Sequence, residues 1–202
     1  MEAILLASGS LRRQEYFKML KIPFKIFVPG IDESNTNNLD AKDFAMDLAK
    51  RKLDKTLHVT QGKEPLWIFA ADTLVSLDGE IFGKSGSRDA AKSVLQKLSG
   101  KTHEVWTGCA LYNNRTKATD CRCAKTKVTF TEINDASLEW YLNSAEWQGA
   151  AGSYKIQGIA ACFIDNIEGS YSSVVGLPIH LFYTMLLDNG YKMDIWGGGN
   201  RK

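Results

Sequence analysis

A chain of 202 residues with an apolar fraction of 44% and a charged fraction of 24% can bury a sizeable core, and its ordinary globular usage excludes wholesale disorder. A net charge of +2 is too mild for a nucleic-acid groove built on bulk charge, so any anion site must come from a local cluster. No apolar stretch reaches the ~20 residues of a membrane-spanning helix, no signal peptide opens the chain, and the four cysteines offer only one C-x-C pair, Cys121 and Cys123, so a reducing cytoplasm is the expected setting.

Residues 3–7, "AILLA", predict a short buried strand. The next three, "SGS", are small and hydroxylated. Ser10 is placed to cap a helix reaching residue 20, with Tyr16, Phe17 and Leu20 on one face. Arg12 and Arg13 fall in its first turn, where exposed N–H groups already carry partial positive charge. Each cation is mismatched there by ~0.3–1 kcal/mol unless an anion sits beside it. A phosphate cradle and a basic turn paired with surface acids fit this stretch equally well. Residues 24–28 predict a second strand, stopped by Pro29 and Gly30.

The clearest helical pattern covers 40–58, with Asp40 as N-cap and Ala41, Phe44, Ala45 and Leu48 on the apolar face. Winding at about 100° per residue brings Lys52 into that face, whereas Lys50 and Arg51 fall outside it and read as solvated. A lysine in an apolar stripe either snorkels to the helix end or points at an anion in a cleft. Residues 66–71 read as a buried strand that ends at Asp72, with Thr73 beside it. Open α/β sheets bind ligands beyond the carboxyl ends of their strands. Asp72 is therefore a candidate cation ligand or proton acceptor.

Residues 74–77 and 80–82 form a hairpin around Asp78-Gly79. The adjoining "FGKSGS" is not a P-loop, because Asp78 stands where the first glycine is required. Lys84 is kept as a possible phosphate contact. Ser87 caps a helix over 87–98, followed by Gly100. A long hairpin runs through 103–112, turns at Asn113-Asn114 and returns through 127–130, and 135–143 is a short helix. Gln157 carries both a donor and an acceptor and can read a base edge, or it simply lies in a turn before Gly158. Residues 160–164 and 171–175 read as strands. Pro178 is expected at the first position of a last helix ended by Gly190, and 197–202 as a mobile tail. His58, His103 and His180 show no metal spacing. Strand–helix units mixed with hairpins predict an α/β fold with a mixed sheet.

Eight segments carry a resemblance. They are "LASGSLRRQE" (6–15), "DE" (32–33), "LAKRK" (48–52), "AADT" (70–73), "GEIFGK" (79–84), "LSGKTHEVWTG" (98–108), "AGSYKIQG" (151–158) and "GSYSSVVGLP" (169–178). In this order they resemble the Maf family of nucleoside triphosphate pyrophosphatases, also called septum-formation inhibitor proteins. The resemblance implies a single elongated α/β domain over 1–196, like that of inosine-triphosphate pyrophosphatases, with two lobes flanking a central cleft. It implies cleavage of a nucleoside triphosphate to the monophosphate and pyrophosphate with a divalent metal, Mg or Mn, and pairing into a homodimer. Asp72 matches the catalytic acid that accepts a proton, and Glu33 its partner at the metal. Ser8, Arg13, Lys52 and Lys84 match positions facing the phosphates. Arg12, Thr73 and Gln157 match the trio marking the branch that acts on dTTP and UTP. Leu11 and Ser85 stand where the family usually has proline, and Ala150 where many members have lysine. Two alternatives stay open: a regulatory nucleotide-binding protein with little turnover, and a pyrophosphatase preferring purine or 7-methyl-GTP substrates.

Overall fold

A computed structural model describes residues 1–61 and 66–193, and the tail expected at 197–202 lies outside the described residues. Strand β1 (Ile4–Ala7) is buried at every position, as a strand covered on both faces must be. It leads into helix α1 (Leu11–Met19) and then into strand β2 (Phe24–Phe27), which pairs with β1 in parallel. Helix α2 (Ala41–Thr60) crosses to strand β3 (Trp67–Leu77), which lies parallel to β1 on its other side. Strand β4 (Glu80–Phe82) folds back on β3 through Asp78 and Gly79, both at positive φ, as a two-residue hairpin turn requires.

Helix α3 (Arg88–Leu98), strands β5 (Thr102–Asn113) and β6 (Ala118–Phe130), helix α4 (Asp135–Asn143), strand β7 (Ile164–Glu168) and helices α5 (Tyr171–Val175) and α6 (Ile179–Asp188) follow. The result is the mixed sheet the pattern predicts, seven-stranded, in the order β2-β1-β3-β5-β6-β7 with β4 beside β3. Asp40 and Ser87 each accept the backbone N–H three residues on, so α2 and α3 begin where their capping signals stand, and Asn134 caps α4 in the same way.

Alternation along the strands divides the core. Leu5, Ile68, Ala70 and Ala110 pack against Ala49 and Leu53 of α2. On the other face Ile4, Leu6, Phe69 and Ala71 meet Phe17 of α1 and Phe182 and Met185 of α6. Gly108 lets α2 lie close on the sheet: a Cβ there would fall 2.2 Å from the Ala45 carbonyl oxygen. A second apolar cluster surrounds α3 and α4 and includes Leu95, Phe130, Tyr141 and Tyr154.

Four expectations are corrected. Strand β3 does not end at Asp72; β5 pairs with it as far as Ser76, and the buried Leu74, Val75 and Leu77 carry it onward. Residues 159–163 form a 3-10 turn that buries Ala160 and Phe163, three apart, and the strand starts only at Ile164. Residues 171–175 are helical, because Ser170 caps the Ser173 N–H, and Gly176 at φ +121° ends the turn. Pro178 occupies the N-cap of α6 rather than its first helical position.

One feature of the topology places the site. Strand β1 pairs with β3 only as far as Phe69, and β4 joins the same edge only from Val75. Between them, residues 70–74 of β3 have a neighbouring strand on the β5 side alone. The chain leaving β1 passes this notch on its way into α1, so the notch lies beyond the carboxyl end of β1 rather than of β3.

Candidate functional site

A cavity of about 750 Å³ opens at the notch. All nine residues singled out from the sequence line it: Ser8 between β1 and α1, Arg12 and Arg13 from the start of α1, Glu33, Lys52 of α2, Asp72 and Thr73 of β3, Lys84 after β4, and Gln157. Asp72 and Thr73 are consecutive in a strand and so project to opposite faces of the sheet. Asp72 stands opposite Gly108 on the α2 face, and Thr73 opposite Thr107 on the α1 face.

On the α2 face, Lys52 forms an ion pair with Asp72, and its Nζ lies 2.8 Å from Glu33 Oε1. Lys52 and Asp72 are both buried, with 8% and 7% exposure. The apolar arc of α2 does contain Lys52, and its ammonium meets two carboxylates there. Lys84 Nζ approaches Glu33 Oε2 at 3.4 Å from the solvent side. Burial would raise the Glu33 pKa, but the hydrogen bond and charge of Lys52, helped by Lys84, outweigh it and hold the carboxyl below its ordinary value. Arg51, expected to be solvated, instead donates to the backbone oxygens of Asp32 (2.8 Å) and Ser34 (3.2 Å). It thereby braces the loop that carries Glu33.

On the α1 face, Arg13 is 8% exposed. Its Nε donates to the Gly176 carbonyl (2.7 Å), Nη1 to Ser8 Oγ (3.1 Å) and Nη2 to Thr73 Oγ1 (3.1 Å). Every one of these acceptors is neutral, and no described carboxylate pairs with this guanidinium. Of the five N–H donors of an arginine, three are used and two are left. Desolvation pulls its pKa down, opposed by the charge of Asp72, and arginine stays charged regardless. A buried cation without a counter-ion is costly, and an anion in the cavity relieves that cost. Arg12 is anchored by its Nε to the Val175 carbonyl at 3.2 Å; burial lowers its pKa and Glu15 opposes the shift. Ser10 occupies the N-cap of α1 but makes no side-chain cap bond. The serine that does engage the turn is Ser8, whose Oγ accepts from the Ser10 N–H at 3.2 Å as well as from Arg13.

Two further segments close the cavity. An isolated bridge pairs Lys84 with Ala151, and Ser85 Oγ lies 2.6 Å from Ser153 Oγ, so the loop after β4 is tied to the loop carrying Gln157. Gln157 is exposed, and its side-chain amide has no hydrogen-bond partner among the described residues. Ala150 is buried at 1% exposure, and the cavity there is lined by Gly149 and Ala151 instead. Residues that reading the sequence missed are Arg51, Thr107 and the carbonyls of Val175 and Gly176. Arg51 carried a signal, since an arginine one turn from an apolar stripe can reach a preceding loop. Thr107 carried none.

Asp72 and Glu33 converge on one ammonium, so their oxygens already face one cation-sized point. Two carboxylates suit a hard divalent cation that completes its shell with phosphate oxygens and water. Among the described residues no group of three or more His, Cys, Asp or Glu could hold a metal by protein ligands alone. Taken together, the cavity offers a carboxylate pair fit for such a cation on one face of β3 and a cationic fork with spare donors on the other.

The dTTP/UTP pyrophosphatase of Bacillus cereus (strain G9842) is 41% identical over 179 residues, spanning 89% of this chain and 91% of that protein. The dTTP/UTP pyrophosphatase of Pyrococcus abyssi is 41% identical over 184 residues, spanning 91% and 94%. Among solved structures, a nucleoside-triphosphatase / dITP/XTP pyrophosphatase from Mycobacterium abscessus aligns with a TM-score of 0.40 and 17% identity, covering 65% of this chain and 74% of that one. Residues 3–189 match the family described as Maf-like protein. The chain therefore belongs to the Maf-like protein family.

Proposed function

We propose that this chain is a nucleoside triphosphate pyrophosphatase that hydrolyses dTTP and UTP to the nucleoside monophosphate and pyrophosphate. The observation that carries the proposal is Arg13: a buried guanidinium with neutral partners, two unused donors and a carboxylate pair across the strand. A triphosphate supplies the missing anion. Arg13, with Lys52 and Lys84, would hold its oxygens and screen the charge that repels an attacking water. The water oxygen forms a bond to the α-phosphorus while the bond to the bridging oxygen breaks, and that electron pair leaves with pyrophosphate. Asp72 takes the proton of the water. Asp72 and Glu33 would hold a divalent cation, Mg or Mn, which would supply charge neutralisation on the phosphate oxygens. The exposed amide of Gln157 lines the cavity with Arg12, and together they would meet the base. Four unpaired cysteines suit a reducing cytoplasm, no described helix is long and apolar enough to cross a membrane, and a homodimer belongs to the same reading.

The test is pyrophosphate release from dTTP and UTP with Mg or Mn, compared with Asp72→Asn. The substitution should lower the rate by ~10²–10⁴. Retention within about tenfold would remove Asp72 from the chemistry, and release of orthophosphate in place of pyrophosphate would overturn the reaction assigned.

A further inference from the structure

We propose that Thr107, on β5, is a positioning residue that aims Arg13 through Thr73. The proposal rests on Arg13 being the phosphate-binding cation of the site. Thr107 is fully buried, contributes nothing to the cavity surface and belongs to none of the roles given above. Its hydroxyl lies 2.9 Å from the Ser173 carbonyl oxygen and 3.0 Å from Thr73 Oγ1, and Thr73 Oγ1 accepts from Arg13 Nη2 at 3.1 Å.

Proton counting fixes the direction of this chain. A threonine hydroxyl has one proton and two lone pairs. The Ser173 carbonyl can only accept, so the Thr107 proton is committed to it. Thr107 can then only accept from Thr73, which commits the Thr73 proton as well. With its proton turned away, Thr73 presents a lone pair to Arg13, which can only donate. Each link forces the next, and the guanidinium ends with one Nη on Thr73, the other on Ser8 and Nε on the Gly176 carbonyl. The two unused N–H groups are thereby held at one orientation. Without the Thr107 hydroxyl, the Thr73 proton has no committed acceptor and can rotate toward Arg13, turning an acceptor into a competing donor. The register makes the relay possible, because Thr73 and Thr107 are directly opposed on adjacent strands.

The experiment measures binding of inorganic tripolyphosphate to the full chain by calorimetry, in magnesium buffer, so that it does not depend on turnover. Thr107→Val removes the hydroxyl at nearly constant volume and should weaken binding by about tenfold; Thr107→Ser keeps the hydroxyl and should stay within about twofold. In an Arg13→Met background, Thr107→Val should cost less than about twofold more, because its effect passes through Arg13. Should Thr107→Val fold poorly, Thr73→Val breaks the next link and must show the same non-additivity. Equal losses with and without Arg13, or a Thr107→Ser variant as weak as Thr107→Val, would overturn the relay. A wild-type chain that binds tripolyphosphate yet releases no pyrophosphate from dTTP would sink the activity alone, and the double-mutant cycle would still decide the relay.

Discussion

Asp72 and Thr73 are neighbours in one strand, yet the two faces they serve solve burial of charge in opposite ways. On the α2 face a buried ammonium is matched by two carboxylates. On the α1 face a buried guanidinium is held by a serine hydroxyl, a threonine hydroxyl and a backbone carbonyl, with no described carboxylate in contact with it. The first arrangement is complete without a ligand, and the second is not. Lys52 therefore reads first as part of the fold and only after rearrangement as a ligand contact, whereas Arg13 keeps two N–H donors without a partner among the described residues.

The largest effect that separates the two faces concerns Arg13. Losing two charge-assisted hydrogen bonds, each ~1.5–3 kcal/mol, should lower kcat/KM for dTTP by ~10²–10⁴ in Arg13→Met. Arg13→Lys should recover little, since one ammonium cannot occupy three divergent acceptors and still reach a phosphate. Stability should change by no more than ~1–2 kcal/mol, because the lost hydrogen bonds are offset by removing an uncompensated buried charge. Urea unfolding of the same variants checks this. A large loss of stability with little loss of activity would show that Arg13 is structural and would erase the contrast.

Lys52→Met should give the reverse pattern. It leaves Asp72 and Glu33 facing each other without their shared cation, and breaking a buried pair in this way costs ~3 kcal/mol. Metal-free protein should therefore unfold at clearly lower urea concentration than wild type. Saturating Mn should restore much of the difference, because a cation bound only by the folded state stabilises it by mass action. If Mn stabilises wild type and Lys52→Met equally, metal and lysine do not share the carboxylates, and the α2 face is simpler than drawn here.

How far this contrast was legible beforehand depends on the range of the contacts. Lys52 stood out because its helix has a clear apolar arc, a local signal that the buried positions of α2 repeat. Asp72 stood out because an acid interrupts an apolar run. The strand does not end there, since the acid reaches the cavity through the gap left where β1 stops and β4 starts on the same edge. That gap is made by segments distant in sequence and has no local trace. Arg13 was visible as a cation in an unsuitable helix turn, but its lack of a counter-ion was not. Its carbonyl partner, Gly176, is 163 residues away. The segment 171–175, expected as a strand, is helical because Ser170 just before it caps the turn.

A third buried polar group sharpens the comparison by taking the remaining course, which is to give up its charge. His103 is fully buried on β5, its Nε2 paired with Tyr154 Oη at 2.8 Å, its ring edge-on to Phe130, and its Nδ1 without a partner among the described residues. Desolvation, with no carboxylate to oppose it, pushes its pKa down to about 4. The sign of the consequence follows. Between about 6.5 and about 4 the unfolded chain takes up a proton at this histidine and the folded chain does not. Stability from this group is thus fully present above pH 6.5 and falls as pH drops through that window, by roughly 1 kcal/mol per unit. His103→Gln keeps a polar partner for Tyr154 and has no proton to gain. Urea midpoints measured from pH 7 to pH 5 should fall more steeply in wild type than in the variant. Parallel slopes would mean that His103 takes up its proton as readily folded as unfolded. Burial in this sheet would then not suffice to neutralise a cation, and Arg13 could no longer be set apart by its charge alone.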